Sequence, residues 1–173
     1  MQTYLELKVP VRNESVWLKD LKSALLGLPV RWQNGHYHIT MAFLDQTPSN
    51  FDVASIIDKH LSKAEPQMLK FDKIDAFTAN NTGMYIINLT TSGVPERFKR
   101  LVNDIRDDLK ANGCVMNSEF RLHVTLGRLD TSTIDLEKLL KIIRAIKIPV
   151  FQMELDSFEY RKFRGESIKV WSH

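Results

Sequence analysis

Two short segments of the chain each carry a histidine and a threonine two residues apart: His38 with Thr40, and His123 with Thr125. Both pairs lie in apolar, β-branched runs that have the length of a buried strand. Because residues two apart on a strand point to the same face, each pair should present an imidazole beside a hydroxyl. Imidazoles exchange protons near neutral pH, and hydroxyls can donate hydrogen bonds to phosphate oxygens. The two pairs would supply the groups for metal-free phosphoryl chemistry if the fold brings the strands together.

The elements around the two pairs follow the same order twice. Strand, helix, motif strand, helix and strand are predicted within 2–79, and the same series is predicted within 84–162. The predicted strands cover 2–10, 36–45, 67–79, 84–92, 119–129, 149–162 and 166–172, and the predicted helices cover 14–28, 51–64, 95–112 and 133–146. Duplicated units usually pack with pseudo-twofold symmetry, so the motif strands should face each other across a cleft.

This order of elements predicts an α+β fold. We expect a duplicated, two-lobed arrangement of antiparallel sheets with outer helices, pseudo-twofold symmetry and an active-site cleft between the lobes. A length of 173 residues suits a single domain, 1–173, with a sizeable core. No linker separates the two halves, so we expect the lobes to be built roughly from 2–79 and 84–173.

The composition is typical of a soluble protein from a reducing compartment. Apolar residues make up 43% of the chain and charged residues 26%. The formal net charge of +3 permits an anionic partner without requiring one. The single cysteine, Cys114, excludes an intrachain disulfide. Neither a signal peptide nor an apolar run near the roughly 18 residues of a membrane span is visible. We therefore expect a cytoplasmic monomer that does not contact membranes.

The residues around both motifs resemble those of the 2H phosphoesterase superfamily, and within it the 2′-5′ RNA ligase / RNA 2′,3′-cyclic phosphodiesterase family. Arg31-Trp32 lies shortly before the first motif, and Met41-Ala42-Phe43-Leu44 follows it. The second motif continues as Leu126-Gly127-Arg128, with the family's trailing arginine. The resemblance covers essentially the whole chain. The chain departs from the family pattern at Leu122, where proline is frequent, and at Asp45, where glycine is frequent.

The resemblance implies a reaction and roles for particular residues. His38 and His123 would be the general acid and base, in an order that the sequence leaves open, and Thr40 and Thr125 would donate hydrogen bonds to the phosphate. The implied reaction is metal-independent hydrolysis of 2′,3′-cyclic phosphates, on RNA ends or small nucleotides, to 2′-phosphates. No cofactor is implied. Hydrolysis of 2′-5′ linkages and the reverse RNA ligation are close relatives that use the same site.

Two further residues are candidates for substrate contact. The resemblance implies that Arg128 lies near the phosphate, and a guanidinium is well shaped for that group. However, Arg128 lies five residues after His123, and this odd offset would point it away from the cleft unless the strand twists or bulges. His36 shares strand parity with His38, which predicts a place at the mouth of the cleft.

Two other classes of function fit the same residues. His36, His38 and His123 could bind zinc and leave an open position for water, as in a zinc hydrolase. Alternatively, the chain could be an RNA-binding module without turnover, since base-stacking aromatics and basic residues are present. Activity that persists after chelation would exclude zinc catalysis, and RNA binding without any product would favour the binding module.

Overall fold

Four helices and ten strands are found in the computed structural model, which describes residues 1–172, so that His173 lies outside the described part. The strands are β1 Thr3–Lys8, β2 Arg31–Trp32, β3 His38–Leu44, β4 Gln67–Phe71, β5 Lys73–Ala79, β6 Met84–Thr90, β7 Val124–Asp130, β8 Phe151–Leu155, β9 Ser157–Lys162 and β10 Ser167–Ser172. The helices are α1 Val16–Ala24, α2 Val53–Leu61, α3 Glu96–Ala111 and α4 Leu136–Arg144. The predicted α+β class is confirmed, although every predicted helix is longer than the observed one.

The helices pack apolar stripes against the sheets. In α3, Phe98, Val102, Ile105 and Leu109 recur at helical spacing, and each is 0% exposed. Pro95, whose ring fixes φ near the required value, stands immediately before the helix. Within the described residues, no helix combines the length and apolar character needed to cross a bilayer.

Most strands belong to one antiparallel sheet in the order β10-β9-β1-β3-β7-β6-β5, with β2 also paired to β7. A second sheet contains only β4 and β8. Two of the pairings, β3 with β7 and β4 with β8, join elements that occupy equivalent places in the two halves of the sequence. This is the arrangement that a pseudo-twofold axis through both pairs would produce.

The two lobes are not continuous halves of the chain, which corrects the predicted boundaries of 2–79 and 84–173. The predicted strands 67–79 and 149–162 each break into two, at Asp72 and Asp156. The first pieces, β4 and β8, pair with each other, whereas β5 joins β6 and β9 joins β1. At the first break, the Asp72 carboxylate accepts hydrogen bonds from the backbone N–H (2.8 Å) and hydroxyl (2.5 Å) of Ser92. The sequence does not predict such a break, because the apolar pattern of a strand continues on both sides of it.

Candidate active site

The two motif strands meet at a single antiparallel pair, Ile39 with Val124. This register sets His38 beside Thr125 and Thr40 beside His123 on the opposite face from the paired apolar residues. That face forms one wall of a cavity of about 440 Å³. All of the predicted site residues line it: His36, His38, Thr40, His123, Thr125 and Arg128.

Both motif imidazoles are oriented by the same kind of backbone hydrogen bond. Nδ1 of His38 lies 3.0 Å from the carbonyl oxygen of His36, and Nδ1 of His123 lies 2.9 Å from that of Arg121. A carbonyl can only accept, so each Nδ1 carries the hydrogen and each ring has its unprotonated Nε2 left for the cavity. The duplication therefore extends from the element order to the tautomer of the histidines.

Burial keeps both imidazoles neutral at neutral pH. Desolvation lowers the pKa of His38 to about 4, and positive charge on His36 and Arg161 acts in the same direction. Desolvation also lowers the pKa of His123, assisted by Arg121 and Arg128. An anionic phosphate in the cavity would raise both pKa values, because negative charge favours the imidazolium form. Substrate binding could thus provide one protonated and one neutral imidazole.

A β-bulge in each motif strand turns the following residues back toward the cavity. The register skips Leu126, because Gly127 pairs with Ile87 while Thr125 pairs with Asn88. Beyond this extra residue the strand parity is reversed, so Arg128 lines the cavity despite its odd offset from the histidine. The register of β3 skips Met41 in the same way, and Phe43 lines the cavity at the corresponding place.

Arg128 is positioned to bind an anion in this cavity. Its Nη1 donates to Oε1 of Gln33 over 3.4 Å, a long contact that leaves other donors of the guanidinium for a ligand. Gly127 permits the close approach of β2, since a Cβ there would lie 2.8 Å from Cγ1 of Val30. The position of Arg128 therefore depends on both the bulge and this glycine.

Replacing Arg128 with alanine should lower kcat/KM for a phosphate-containing substrate by roughly 10- to 100-fold. This loss corresponds to the usual free energy of one hydrogen bond to a charged group. Steady-state kinetics would measure the loss. Arg31→Ala is a matched control, because Arg31 pairs with Arg128 across β2 and β7 but does not line the cavity. Equal losses in the two variants would indicate a general effect of surface charge and contradict a specific contact.

His36 reaches the cavity by a route other than strand parity. It precedes β3 and has a left-handed backbone, with φ of +53°. Its ring nevertheless lies 5.0 Å from that of His38, and its Nε2 lies 3.0 Å from Oε2 of Glu6. His36 therefore lines the cavity, but strand alternation is not the reason for it.

The carboxylate of Glu6 is the main feature of the site that sequence reasoning missed. Its side chain is 0% exposed, and Oε2 lies 3.3 Å from Nδ1 of His38. The strand β1 places Glu6 directly opposite Thr40 on one side and Glu159 on the other. A charged residue between two leucines ordinarily indicates the solvent face of a strand. A signal that the sequence offers is the polar Asn88, which stands among apolar residues of β6 at the place equivalent to Glu6.

Four aromatic residues that were not predicted also line the cavity: Tyr4, Phe43, Phe77 and Phe163. Phe77 meets His123 edge to face, with ring centroids 5.0 Å apart. The guanidinium of Arg121 stacks on the same phenyl ring at 4.1 Å. On the other side, the ring of Tyr4 lies 5.8 Å from that of His38. Each histidine thus has an aromatic neighbour that restricts its ring.

The donors do not converge as the alternative zinc site of His36, His38 and His123 would require. Within the part of the chain that the structure describes, Glu6 converges with His36 and His38, and His123 is not in the group. Nη1 of Arg161 lies 3.3 Å from Nε2 of His36 and 3.7 Å from Oε1 of Glu6. A divalent cation would meet this guanidinium and would also compete with the proton on Nδ1 of His38. These residues therefore do not fit a metal ion.

The family to which the chain belongs follows from a comparison with known protein families. The model of the 2'-5' RNA ligase superfamily matches residues 11–173, so the chain belongs to this superfamily of 2H phosphoesterases. Membership supports an enzyme that acts on phosphodiester bonds, by a phosphodiesterase or ligase type of activity. A search of curated proteins finds no match.

Solved structures share the fold at low sequence identity. Usb1 from Kluyveromyces marxianus is 12% identical, with a TM-score of 0.65 over 99% of this chain and 98% of that one. E. coli LigT complexed with 3'-AMP is 16% identical, with a TM-score of 0.57 over 99% of this chain and 97% of that one. The MHV ns2 PDE domain is 17% identical, with a TM-score of 0.59 over 94% and 98%. These similarities show the fold, and the match to the family model confirms the resemblance predicted from the two motifs.

Proposed function

We propose that the chain is a metal-independent phosphodiesterase that hydrolyses 2′,3′-cyclic phosphates of RNA ends or small nucleotides to 2′-phosphates. The observation that carries this proposal is the pair of backbone-fixed imidazoles, whose free Nε2 atoms share one cavity with two threonine hydroxyls and Arg128. Nucleotide ligands in structures of E. coli LigT, which include 3'-AMP and ATP, support a substrate of nucleotide size.

In the proposed reaction, each imidazole, each threonine and Arg128 has one role. One neutral imidazole accepts a proton from water through Nε2, and the water oxygen bonds to phosphorus. The bond from phosphorus to the ribose O3′ breaks, and that oxygen takes the proton from Nε2 of the second imidazole. The phosphate then remains on O2′. Thr40 and Thr125 donate hydrogen bonds to the non-bridging oxygens as negative charge develops, and Arg128 balances that charge.

The residues that line the cavity favour a substrate with a nucleoside attached to the phosphate. Among the aromatic rings that line the cavity, Tyr4 lies against His38 and Phe43, and Phe77 lies against His123. Base–aromatic stacking tolerates any base, because every base has a π-face. A cavity of about 440 Å³ lies within the usual range for small-molecule sites. We therefore expect broad base tolerance.

Incubation with a 2′,3′-cyclic nucleotide, an RNA ending in a cyclic phosphate, and a 2′-5′ dinucleotide tests the function. Phosphorus NMR should show a nucleoside 2′-phosphate from the cyclic substrates, at an unchanged rate after chelation. Exclusive formation of the 3′-phosphate would contradict the proposed leaving group. Loss of activity on chelation would instead favour a zinc hydrolase. Binding of RNA with no product in any arm would favour the non-catalytic binding module.

Hydrolysis of 2′-5′ linkages, or their formation by ligation, is the second candidate. The aromatic rings beside the two histidines, Tyr4 at His38 and Phe77 at His123, could each stack on one nucleoside of a 2′-5′ linkage. Faster turnover of the 2′-5′ dinucleotide than of the cyclic nucleotide would favour this candidate.

A further inference from the structure

The two halves of the site differ at one buried position. Glu6 on β1 pairs with Thr40, and Asn88 on β6 pairs with Thr125. Each stands beside the register shift of its strand pair, so the two residues occupy equivalent places behind the two motifs. Their side chains are both buried, at 0% and 2% exposure. The pseudo-symmetric site therefore has a carboxyl group behind one motif and an uncharged amide behind the other.

The carboxyl group contacts its histidine, whereas the amide is engaged elsewhere. Oε2 of Glu6 lies 3.3 Å from Nδ1 of His38, the nitrogen that also donates to the carbonyl of His36. The Asn88 amide donates to the carbonyl oxygen of Ile86 over 3.1 Å. Of the two motif histidines, only His38 thus has a carboxylate of the described residues 1–172 within reach of its Nδ1–H. When His38 accepts a proton on Nε2, this carboxylate stabilises the imidazolium that forms.

We propose that Glu6 is a positioning residue that makes the two imidazoles inequivalent, with His38 as the general base and His123 as the general acid. This assignment rests on the proposed function. In the reaction, the water proton moves to Nε2 of His38, whose positive charge is then shared with Glu6. His123 gives its Nε2 proton to O3′ and ends neutral beside Arg121 and Arg128, which disfavour its charged form.

Titratable and charged groups on three strands lie around Glu6. Its own strand contributes Tyr4 and Lys8, β3 and the residues before it contribute His38 and His36, and β9 contributes Glu159 and Arg161. Burial and a hydrogen bond to Glu159 raise the pKa of Glu6 to about 7, against the opposing effect of Arg161 and Lys8. The carboxylate behind His38 therefore forms as the pH rises through neutrality.

NMR titration of the histidine rings tests the inequivalence without any substrate. In the wild type, the His38 ring signals should change in two steps, one of its own and one near pH 7 as Glu6 ionises. In Glu6→Gln, the step near pH 7 should disappear from His38, and the titration of His123 should be unchanged. Equal changes at both rings, or an unchanged His38 titration, would overturn the proposal.

The kinetic test separates a positioning role from a structural one. Glu6→Gln should lower kcat at pH 8 by roughly 10- to 100-fold, with KM nearly unchanged, because Glu6 does not contact substrate. The ascending limb of the kcat–pH profile near pH 7 should disappear. An unchanged profile in a variant whose circular dichroism and Tm are normal would contradict the assignment.

Glu159→Gln is the matched control, since it removes the neighbouring carboxyl group but leaves Glu6 in place. It should retain kcat at pH 8 and shift the ascending limb to lower pH, because Glu159 raises the pKa of Glu6. A profile that loses the limb, as in Glu6→Gln, would contradict the assignment to Glu6. If the wild type turns over none of the substrates and yet shows the two-step titration of His38, the proposed function is wrong. The contact between Glu6 and His38 would still make the two imidazoles inequivalent.

Discussion

Alanine in place of His38 or His123 should lower kcat by roughly 10²- to 10⁴-fold, the usual contribution of a positioned acid or base. Each ring is the only motif imidazole of its half-site, and each presents Nε2 to the shared cavity. Loss of the base leaves water without a proton acceptor, and loss of the acid leaves O3′ as an unprotonated leaving group. The double variant should be scarcely slower than either single one, because the two groups act as a unit. Initial rates on a 2′,3′-cyclic nucleotide would measure these losses.

Two sets of variants control this experiment. His60→Ala should keep turnover within about twofold, since His60 lies on α2, has its Nε2 2.9 Å from Oδ2 of Asp108, and does not line the cavity. Thr40→Ala and Thr125→Ala should cost less than the histidine changes, because each removes one hydrogen-bond donor and no proton transfer. A near-wild-type rate in either histidine variant would disprove the acid–base pair.

The sequence predicted those parts of the site that depend on strand alternation and repetition. The His–x–Thr pattern identifies two residues on one strand face, and the repeated element order brings the two strands together. Both features are local or periodic, so they can be recognised without coordinates. The same holds for α3, whose apolar stripe runs from Phe98 to Leu109.

The remaining features depend on the register between strands, which alternation does not encode. The bulges at Met41 and Leu126 reverse the parity that was used to judge Arg128. The exchange of β5 and β9 between the lobes brings Phe77 next to His123 and Glu159 next to Glu6. A buried glutamate becomes intelligible only when its partners on two other strands are known, because burial without partners would be costly. The sequence thus locates the reacting groups but not the groups that orient and charge them.

Arg106 is a buried residue whose guanidinium bonds to the backbone near both motifs. It lies on α3 with 7% exposure. Its Nη1 donates to the carbonyl oxygen of Met41 over 3.2 Å, and its Nη2 donates to that of Ser118 over 2.7 Å. Met41 is the bulge residue of the first motif strand, and Ser118 lies in the segment that leads to His123. One guanidinium therefore fixes the bulge of one motif and the approach to the other.

Arg106→Met should lower the free energy of unfolding by about 2–4 kcal/mol, because two carbonyls lose a charged donor while the apolar stem of the side chain is kept. Activity of the folded variant should also fall by at least about tenfold, since small displacements of a catalytic group are costly. Urea unfolding with an unchanged m-value would measure the first effect, and initial rates far below the transition would measure the second. Arg100→Met, on the exposed face of the same helix, should change neither. Normal activity in a destabilised Arg106→Met would show that the guanidinium stabilises the fold without positioning His123, and that the segment before the second motif holds its conformation through its remaining contacts.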